Sequence, residues 1–437
     1  MPHAAPARTL LEDLYAAAVD AAAPGPALER SLAEVVVQSP VRLFALGKAA
    51  SAMAESAVAV LARRGIEPVG GLVVPPAEAQ PPHPAIRVVP GDHPEPGARS
   101  RAAADALAVA AAATRAGDEA WVLLSGGATS LLGAPVEGVI PADLTALYAM
   151  LLGSGLDISA MNRIRKRFSR WGGGRLAQAL APARVRVFVV SDVIGDDLAS
   201  IGSGPCVPDP SRAAEIREEL DRARLTARMP PRLLDLLAAV AEGRAPETPK
   251  PGDPAFAMVE TRLIVSNRLA LEAARSRAAA QGVTAEIVAT PLAGEAADAG
   301  RQIAAKLIRY AQRSDVQRPG CLIWGGETTV TIGTEAPGLG GRSQELALAA
   351  ARELAGAGMS AASISVMAAG TDGRDGPTDA AGAVVDGRTW DAIRRAGRDP
   401  AYDLTHHEAY RALDAAGVLL KPGLTGTNVM DVVIGLW

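Results

Sequence analysis

The sequence predicts an α/β protein of two domains. Three observations carry that prediction. Through the first half, apolar strand-like runs alternate with helical stretches, the rhythm of a parallel sheet covered by helices on both faces. A Pro-rich segment at 245–254 then breaks the rhythm, because it cannot continue a helix. Beyond it the alternation resumes, and a hairpin-like stretch at 327–333 suggests a mixed sheet. The expected domains are therefore 1–245 and 255–437, and a chain of 437 residues leaves ample room for a core in each.

Taken in order, residues 41–46 read as a strand, followed by an Ala-rich helix at about 49–64. Short strands follow at 71–74 and 86–89, then a helix at 98–115. The apolar run 121–124 is a strand that stops at Ser125-Gly126-Gly127. Helices are expected at 141–152 and 158–170, and the strongly β-branched run 184–190 is a strand ending at Ser191-Asp192. After the Pro-rich segment come strand 263–265, helix 269–281, strand 285–288 and helix 295–313. Strands 321–324 and 328–332, helix 343–354 and strand 364–368 complete the reading. No internal sequence repeat is seen.

Composition narrows the function classes. The chain is 49% hydrophobic and 21% charged, an ordinary globular balance. A formal net charge of -4 leaves no electrostatic footprint for nucleic acid, with the run 163–167 a local basic exception. Aromatic residues make up 3%, too few for base-stacking platforms. Cys206 and Cys321 have neither pairing nor metal spacing, which argues for a reducing compartment. The N-terminus lacks the pattern of a signal peptide, and the Ala-rich run 102–113 is too short for a membrane span. The expectation is a soluble cytoplasmic protein.

The chemistry-bearing segments sit at the ends of expected strands, where ligands of parallel sheets gather. In the last third, Gly325-Gly326-Glu327-Thr328 and Gly340-Gly341-Arg342 lie close in sequence. Exposed backbone N–H groups beside an arginine suit an anion, and a nearby carboxylate suits a metal or a positioned hydroxyl. That pairing points to phosphate chemistry. Gly47-Lys48 closes the first strand and would aim an ammonium at the sheet edge, but Arg42 and Ala49 rule out a Walker A loop. Ser125, Gly126 and Gly127 form either an anion cradle or a simple turn. Asn162, Arg165 and Lys166 lie on an expected helix, which either faces substrate or is a solvated basic face. After the best strand, Asp192, Asp196 and Asp197 suit Mg²⁺, or one accepts a proton from a hydroxyl, or the loop is an acidic turn with a helix cap. Asp372 and Asn428 lie in two further polar turns, at 369–379 and 425–428. The histidines form no catalytic pattern, and neither a zinc motif nor a serine nucleophile elbow is present.

Over nearly its whole length the chain resembles the glycerate 2-kinases, whose C-terminal half is called the MOFRL domain. The motifs that carry the resemblance are Leu46-Gly47-Lys48-Ala49, Gly91-Asp92-His93-Pro94, Ser125-Gly126-Gly127-Ala128 and Asn162-Arg163-Ile164-Arg165-Lys166. They continue with Ser191-Asp192-Val193-Ile194-Gly195-Asp196-Asp197, Ser203-Gly204-Pro205, Gly325-Gly326-Glu327-Thr328 and Gly340-Gly341-Arg342. Gly370-Thr371-Asp372-Gly373, Asp375-Gly376-Pro377-Thr378-Asp379 and Thr425-Gly426-Thr427-Asn428 complete the series. The resemblance implies a Rossmann-like first domain, a second α/β domain with a mixed sheet, and an active site in the interdomain cleft. The last residues are free to pack back on the first domain. It also implies ATP- and Mg²⁺-dependent phosphorylation of D-glycerate at its 2-hydroxyl, with no membrane partner and a homodimer left open.

In that scheme Lys48 and Arg342 are catalytic cations that bracket the γ-phosphoryl group. Asp192 holds Mg²⁺ or activates the acceptor, with Asp197 a further metal ligand and Glu327 a second carboxylate. Ser125, Gly126 and Gly127 cradle an anion, Asn162 and Arg165 orient the small acid, and Thr328, Asp372 and Asn428 bind substrate or phosphate. The chain departs from the family at Ser343 and Met430, where Asn is usual, and at Trp171. The rival readings are a kinase for another short hydroxy acid and an NAD(P)H-dependent hydroxypyruvate reductase, a label often given to this family. The two G-x-G-x-x-A matches, at 172–177 and 356–361, each follow an expected helix and so lack the dinucleotide-binding context.

Overall fold

The computed structural model describes residues 4–37, 39–333 and 338–437. The chain divides into two compact units, Pro24–Ile264 and a second made of the N-terminal residues up to Ala23 with Val265–Trp437.

The first unit is built on β1 (Val41–Leu46), β2 (Gly70–Val74), β3 (Ile86–Val88), β4 (Glu119–Leu124), β5 (Arg184–Val190) and β6 (Val259–Val265). Their order is β3-β2-β1-β4-β5-β6, and the pairs from β3 through β5 are all parallel. Central parallel strands are covered on both faces, which is why β4 reads as the unbroken run EAWVLL and is buried throughout. The chain steps outward from β1 to β3, then returns to place β4 on β1's other side. A crevice opens at such a reversal, beyond the carboxyl ends of the two strands. Leu46 and Leu124 end β1 and β4 in register, so the loops they release start level with each other. Beside this sheet, helices Pro141–Leu152, Ile158–Phe168, Ala213–Arg222 and Pro231–Ala241 share a separate apolar core around Phe168 and Leu147.

The second unit contains β7 (Thr284–Ile287), β8 (Gly320–Gly326), β9 (Ser365–Gly370), β10 (Gly382–Asp386), β11 (Leu419–Leu420) and β12 (Asp431–Leu436), in the order β11-β10-β9-β12-β8-β7. β7 and β8 are parallel and the remaining pairs antiparallel, which makes the mixed sheet that was expected. Helices Ala296–Ala311 and Arg342–Ala357 pack closely here, because Gly300 lies against the main chain of Leu346 where a β-carbon would collide.

Three features differ from the sequence reading. The Pro-rich stretch at 245–254 is not the boundary but is fastened to the first unit. Asp209 N donates to Pro249 O at 2.9 Å, Thr248 Oγ1 donates to Asp209 at 2.9 Å, and Lys250 Nζ donates to Asp209 O at 3.1 Å. At the other end, the last residues belong to the second unit. They form β12, which pairs with both β8 and β9, while the unread helix Ala4–Ala21 joins the second unit through Asp13–Arg277 and a Tyr15 hydroxyl donating to Gly370 O at 2.7 Å. Finally, 328–332 is not a strand. With β7 and β12 on its two sides, β8 has no free edge, and Thr329 makes one isolated bridge to Glu295.

Candidate active site

In the first unit, the loops after β1 and β4 cross. Gly47 takes φ +122° where any β-carbon would strike Ser125, so only glycine lets the loops touch. Three bonds lock the crossing: Ser125 N to Leu46 O (2.9 Å), Lys48 N to Gly126 O (2.9 Å), and Ala49 N to the Ser125 hydroxyl (3.0 Å). Ser125 is buried and its hydroxyl is spent on this lock, so its work is to position Lys48. The Lys48 side chain is exposed, and its ammonium forms no hydrogen bond or ion pair among the described residues.

Asp192 follows β5, and its carboxyl group lies directly over Gly126, where a β-carbon would collide with it. Burial raises its pKa above the usual carboxylate range, while the positive charge of Lys48 pulls the other way. Gly127, at φ +83°, lies beneath both Lys48 and His93. The helix that follows, Ala128–Leu131, is a single turn. Asp197 is taken up as a local cap, accepting from Ala199 N at 3.1 Å and from the Ser200 hydroxyl at 2.6 Å. Asp197 was expected as a metal ligand, and in this structure each of its oxygens accepts one bond within the turn.

The run 163–167 is not a solvated basic face. Arg163 pairs with Glu219, Lys166 with Asp209 at 3.4 Å, and Arg167 with Asp209 and Glu247. Asp209 is fully buried, so this is an internal network. Arg165 is the exception within the run. It is half-buried, lies 5.0 Å over the Tyr148 ring, has no carboxylate partner among the described residues, and its Nε is buried without a hydrogen bond among them. Burial lowers its pKa, the mark of a cation lacking a counter-charge. Asn162 is half-buried one turn from Lys166 on the same helix.

In the second unit, Arg342 is the first residue of helix Arg342–Ala357. Its Nε and Nη2 donate to the two oxygens of Asp431 at 2.6 and 2.9 Å, and its Nη1 lies 2.7 Å from Glu327. Burial opposes the charge, but the Asp431 bonds outweigh it and hold the guanidinium pKa above its ordinary value. The helix N-terminus is not an open anion site. The buried Asp375 carboxylate accepts from Ser343 N at 3.2 Å and Gln344 N at 2.8 Å, and Gly341 leaves room for it. Burial pushes the Asp375 carboxyl up to about 7.

The other expected residues divide. Asn428 Oδ1 accepts from Met430 N at 3.1 Å and shapes the turn into β12. Asp372 Oδ1 accepts from Arg374 N at 3.0 Å and lies close to Gly370, as does Asp431. The Thr328 and Ser343 hydroxyls are buried without partners. Sequence reasoning missed Asp431, Asp375 and His93. Asp375 and His93 stood inside quoted motifs, and Asp431 opens a strand that was not read.

A family model described as a domain of unknown function (DUF4147) matches residues 10–238, and the MOFRL family model matches 320–431. The chain is 35% identical over 431 residues to a D-glycerate 2-kinase of Thermotoga maritima, covering 98% of each. It is 37% identical over 428 residues to a putative hydroxypyruvate reductase of Agrobacterium vitis, covering 98% of this chain and 93% of the relative. A human glycerate kinase is 31% identical, with 96% and 91% covered. A crystal structure of Thermotoga maritima glycerate kinase superposes with a TM-score of 0.88 at 34% identity over 99% of both chains. A Pyrococcus horikoshii structure gives 0.82 at 34% identity over 98% of both.

Proposed function

Because the chain belongs to the glycerate 2-kinase family with its MOFRL domain, we propose that it transfers the γ-phosphoryl group of ATP to the 2-hydroxyl of D-glycerate. The observation that carries this reading is the Lys48 ammonium, uncommitted at the reversal point of a parallel sheet, beside Asp192. In the reaction the 2-hydroxyl oxygen bonds to the γ-phosphorus, the bond to the bridging oxygen breaks, and ADP leaves with that electron pair. Phosphoryl transfer is mostly positioning and charge stabilisation, so cations at the transferring group are the main requirement. Lys48 is the uncommitted cation of that kind in the first unit.

Arg342 would reach phosphate by exchanging its exposed partner Glu327, while the buried Asp431 keeps the fork aimed. Arg165, the unpaired cation, would take the acceptor's carboxylate, and Asn162 a hydroxyl. Among the described residues no three His, Cys, Asp or Glu side chains gather as a metal cage. Mg²⁺ does not need one, since one or two carboxylates plus phosphate oxygens and water suffice. Asp192 fits that single-carboxylate role, and when bound the ion would neutralise charge on the phosphates. The raised pKa of Asp192 also suits it to accept the hydroxyl proton. Rescue of Asp192→Asn by high Mg²⁺ would favour the ligand role, and no rescue the proton-accepting one.

The reductase reading has less support. Gly172-Gly173-Gly174 connects helix Ile158–Phe168 to helix Arg175–Leu180, and Gly356 lies in the last turn of helix Arg342–Ala357, so neither glycine segment follows a strand. No helix among the described residues is long and apolar enough to cross a membrane. A cytoplasmic setting is part of the proposal, supported by Cys206 and Cys321, both free and buried. ADP release from ATP, Mg²⁺ and D-glycerate, set beside nicotinamide oxidation with hydroxypyruvate, tests the proposal. Nicotinamide turnover without ADP release would overturn it.

A further inference from the structure

We infer that His93 is a further catalytic residue of the Lys48–Asp192 cluster, its imidazole donating a hydrogen bond to an oxygen of the phosphoryl group being transferred. The inference rests on the kinase reading above and adds a residue that the reading does not use.

Geometry carries it. A β-carbon built on Gly127 would lie 3.1 Å from Cδ2 and 3.2 Å from Nε2 of His93, and 3.1 Å from Cγ of Lys48. The imidazole and the lysine stem therefore flank one glycine, and the Asp192 carboxyl group lies over the residue before it, Gly126. His93 is exposed, and neither ring nitrogen has a hydrogen-bond partner among the described residues. The backbone leading to it is held in place. Asp92 accepts from Arg99 N at 2.9 Å and Ser100 N at 3.3 Å at the start of helix Ala98–Ala112, and its own N–H donates to the Ser100 hydroxyl at 2.9 Å. Gly91 N donates to Pro75 O at 3.0 Å and packs against the Leu131 main chain. The residues before His93 are thus fixed to a helix start and to the loop after β2, the kind of rigid support a reacting group needs.

The imidazole carries at least one N–H to give whether neutral or charged. A preorganised N–H aimed at developing negative charge is worth about 10²-fold or more in turnover. Beside the Lys48 ammonium it would add direction to charge. Asp92 is a positioning residue in this scheme, acting through His93.

The test compares wild type, His93→Ala and His93→Gln by ADP release at saturating ATP and D-glycerate, with Tm measured in parallel. His93→Ala should lower kcat about 10²-fold with Tm unchanged, because the side chain is exposed and unbonded. His93→Gln, which keeps an N–H donor, should restore most of that loss. Wild-type kcat in His93→Ala, or His93→Gln as impaired as His93→Ala, overturns the inference. A wild-type protein inactive with D-glycerate overturns the kinase reading instead, and the inference with it.

Discussion

Asp431 receives two parallel hydrogen bonds from Arg342, from Nε at 2.6 Å and from Nη2 at 2.9 Å, and so aims the one guanidinium that heads helix Arg342–Ala357. The Arg342 side chain is 34% exposed and that of Asp431 only 4%, so Asp431 is the fixed half of the pair. Asp431→Ala should cost about 2–3 kcal/mol in stability, the low end for breaking a buried pair because Arg342 still reaches water. It should also lower turnover, since a freely rotating arginine loses its orientation. Arg342→Ala should lower kcat by ~10³-fold, in line with arginines that stabilise transferring phosphoryl groups. Urea unfolding and steady-state kinetics check both, and wild-type kcat in either variant contradicts the role.

Lys48 gives the opposite signature. Its side chain is exposed and makes no hydrogen bond or ion pair among the described residues, so the fold leans on it little. Lys48→Ala should lower kcat by ~10³-fold while Tm moves by no more than about 2 °C. A large fall in Tm would mean that Lys48 is structural, and the lost turnover would no longer speak for phosphate contact.

Arg165 separates binding from stability. A half-buried cation without a counter-charge is a cost to the fold that a bound carboxylate would relieve. Arg165→Met should therefore raise the KM for D-glycerate about tenfold or more, the loss of ~1.5–3 kcal/mol of charged hydrogen bonding, without lowering Tm. An unchanged KM would sink the assignment of Arg165 to the acceptor's carboxylate.

Asp375 predicts a pH dependence of stability. Its carboxyl titrates at about 7 in the folded chain against 3.8 for the ordinary group, so across that window the folded state holds the proton more tightly than the unfolded state. Its contribution is fully present below the unfolded value and is lost as pH rises through the folded one. Between about pH 4 and pH 8, wild type should lose more stability than Asp375→Asn, measured as urea midpoints. Equal losses would place the buried carboxyl outside the titration.

The sequence made the parallel sheet legible because central strands, such as the one holding the run Trp121–Leu124, are apolar on both faces. Lys48 and Arg342 could be singled out because each stands beside a glycine, at the end of a strand or the start of a helix, and Asp192 because it closely follows a strand. What escaped depended on pairing between distant segments. Asp431 acquires its meaning only when β12 is laid beside β8 and β9, and Asp375 only when its loop meets the Arg342 helix. The Pro-rich stretch at 245–254 looked like a linker, because composition does not reveal that Asp209 and Arg167 hold it down. Met430, where the resembling family usually has Asn, takes φ +67° with its side chain buried. Asn tolerates that region better than Met, so the departure concerns backbone strain in the turn before Asp431 more than a lost ligand contact.

The central claim is phosphoryl transfer to carbon 2 of D-glycerate, and phosphorus NMR of the product formed from ATP, Mg²⁺ and D-glycerate tests it most directly. The account predicts a single 2-phosphoglycerate signal, absent when Lys48→Ala replaces wild type. A 3-phosphoglycerate signal, or no phosphorylated acid while NAD(P)H is consumed with hydroxypyruvate, would contradict it.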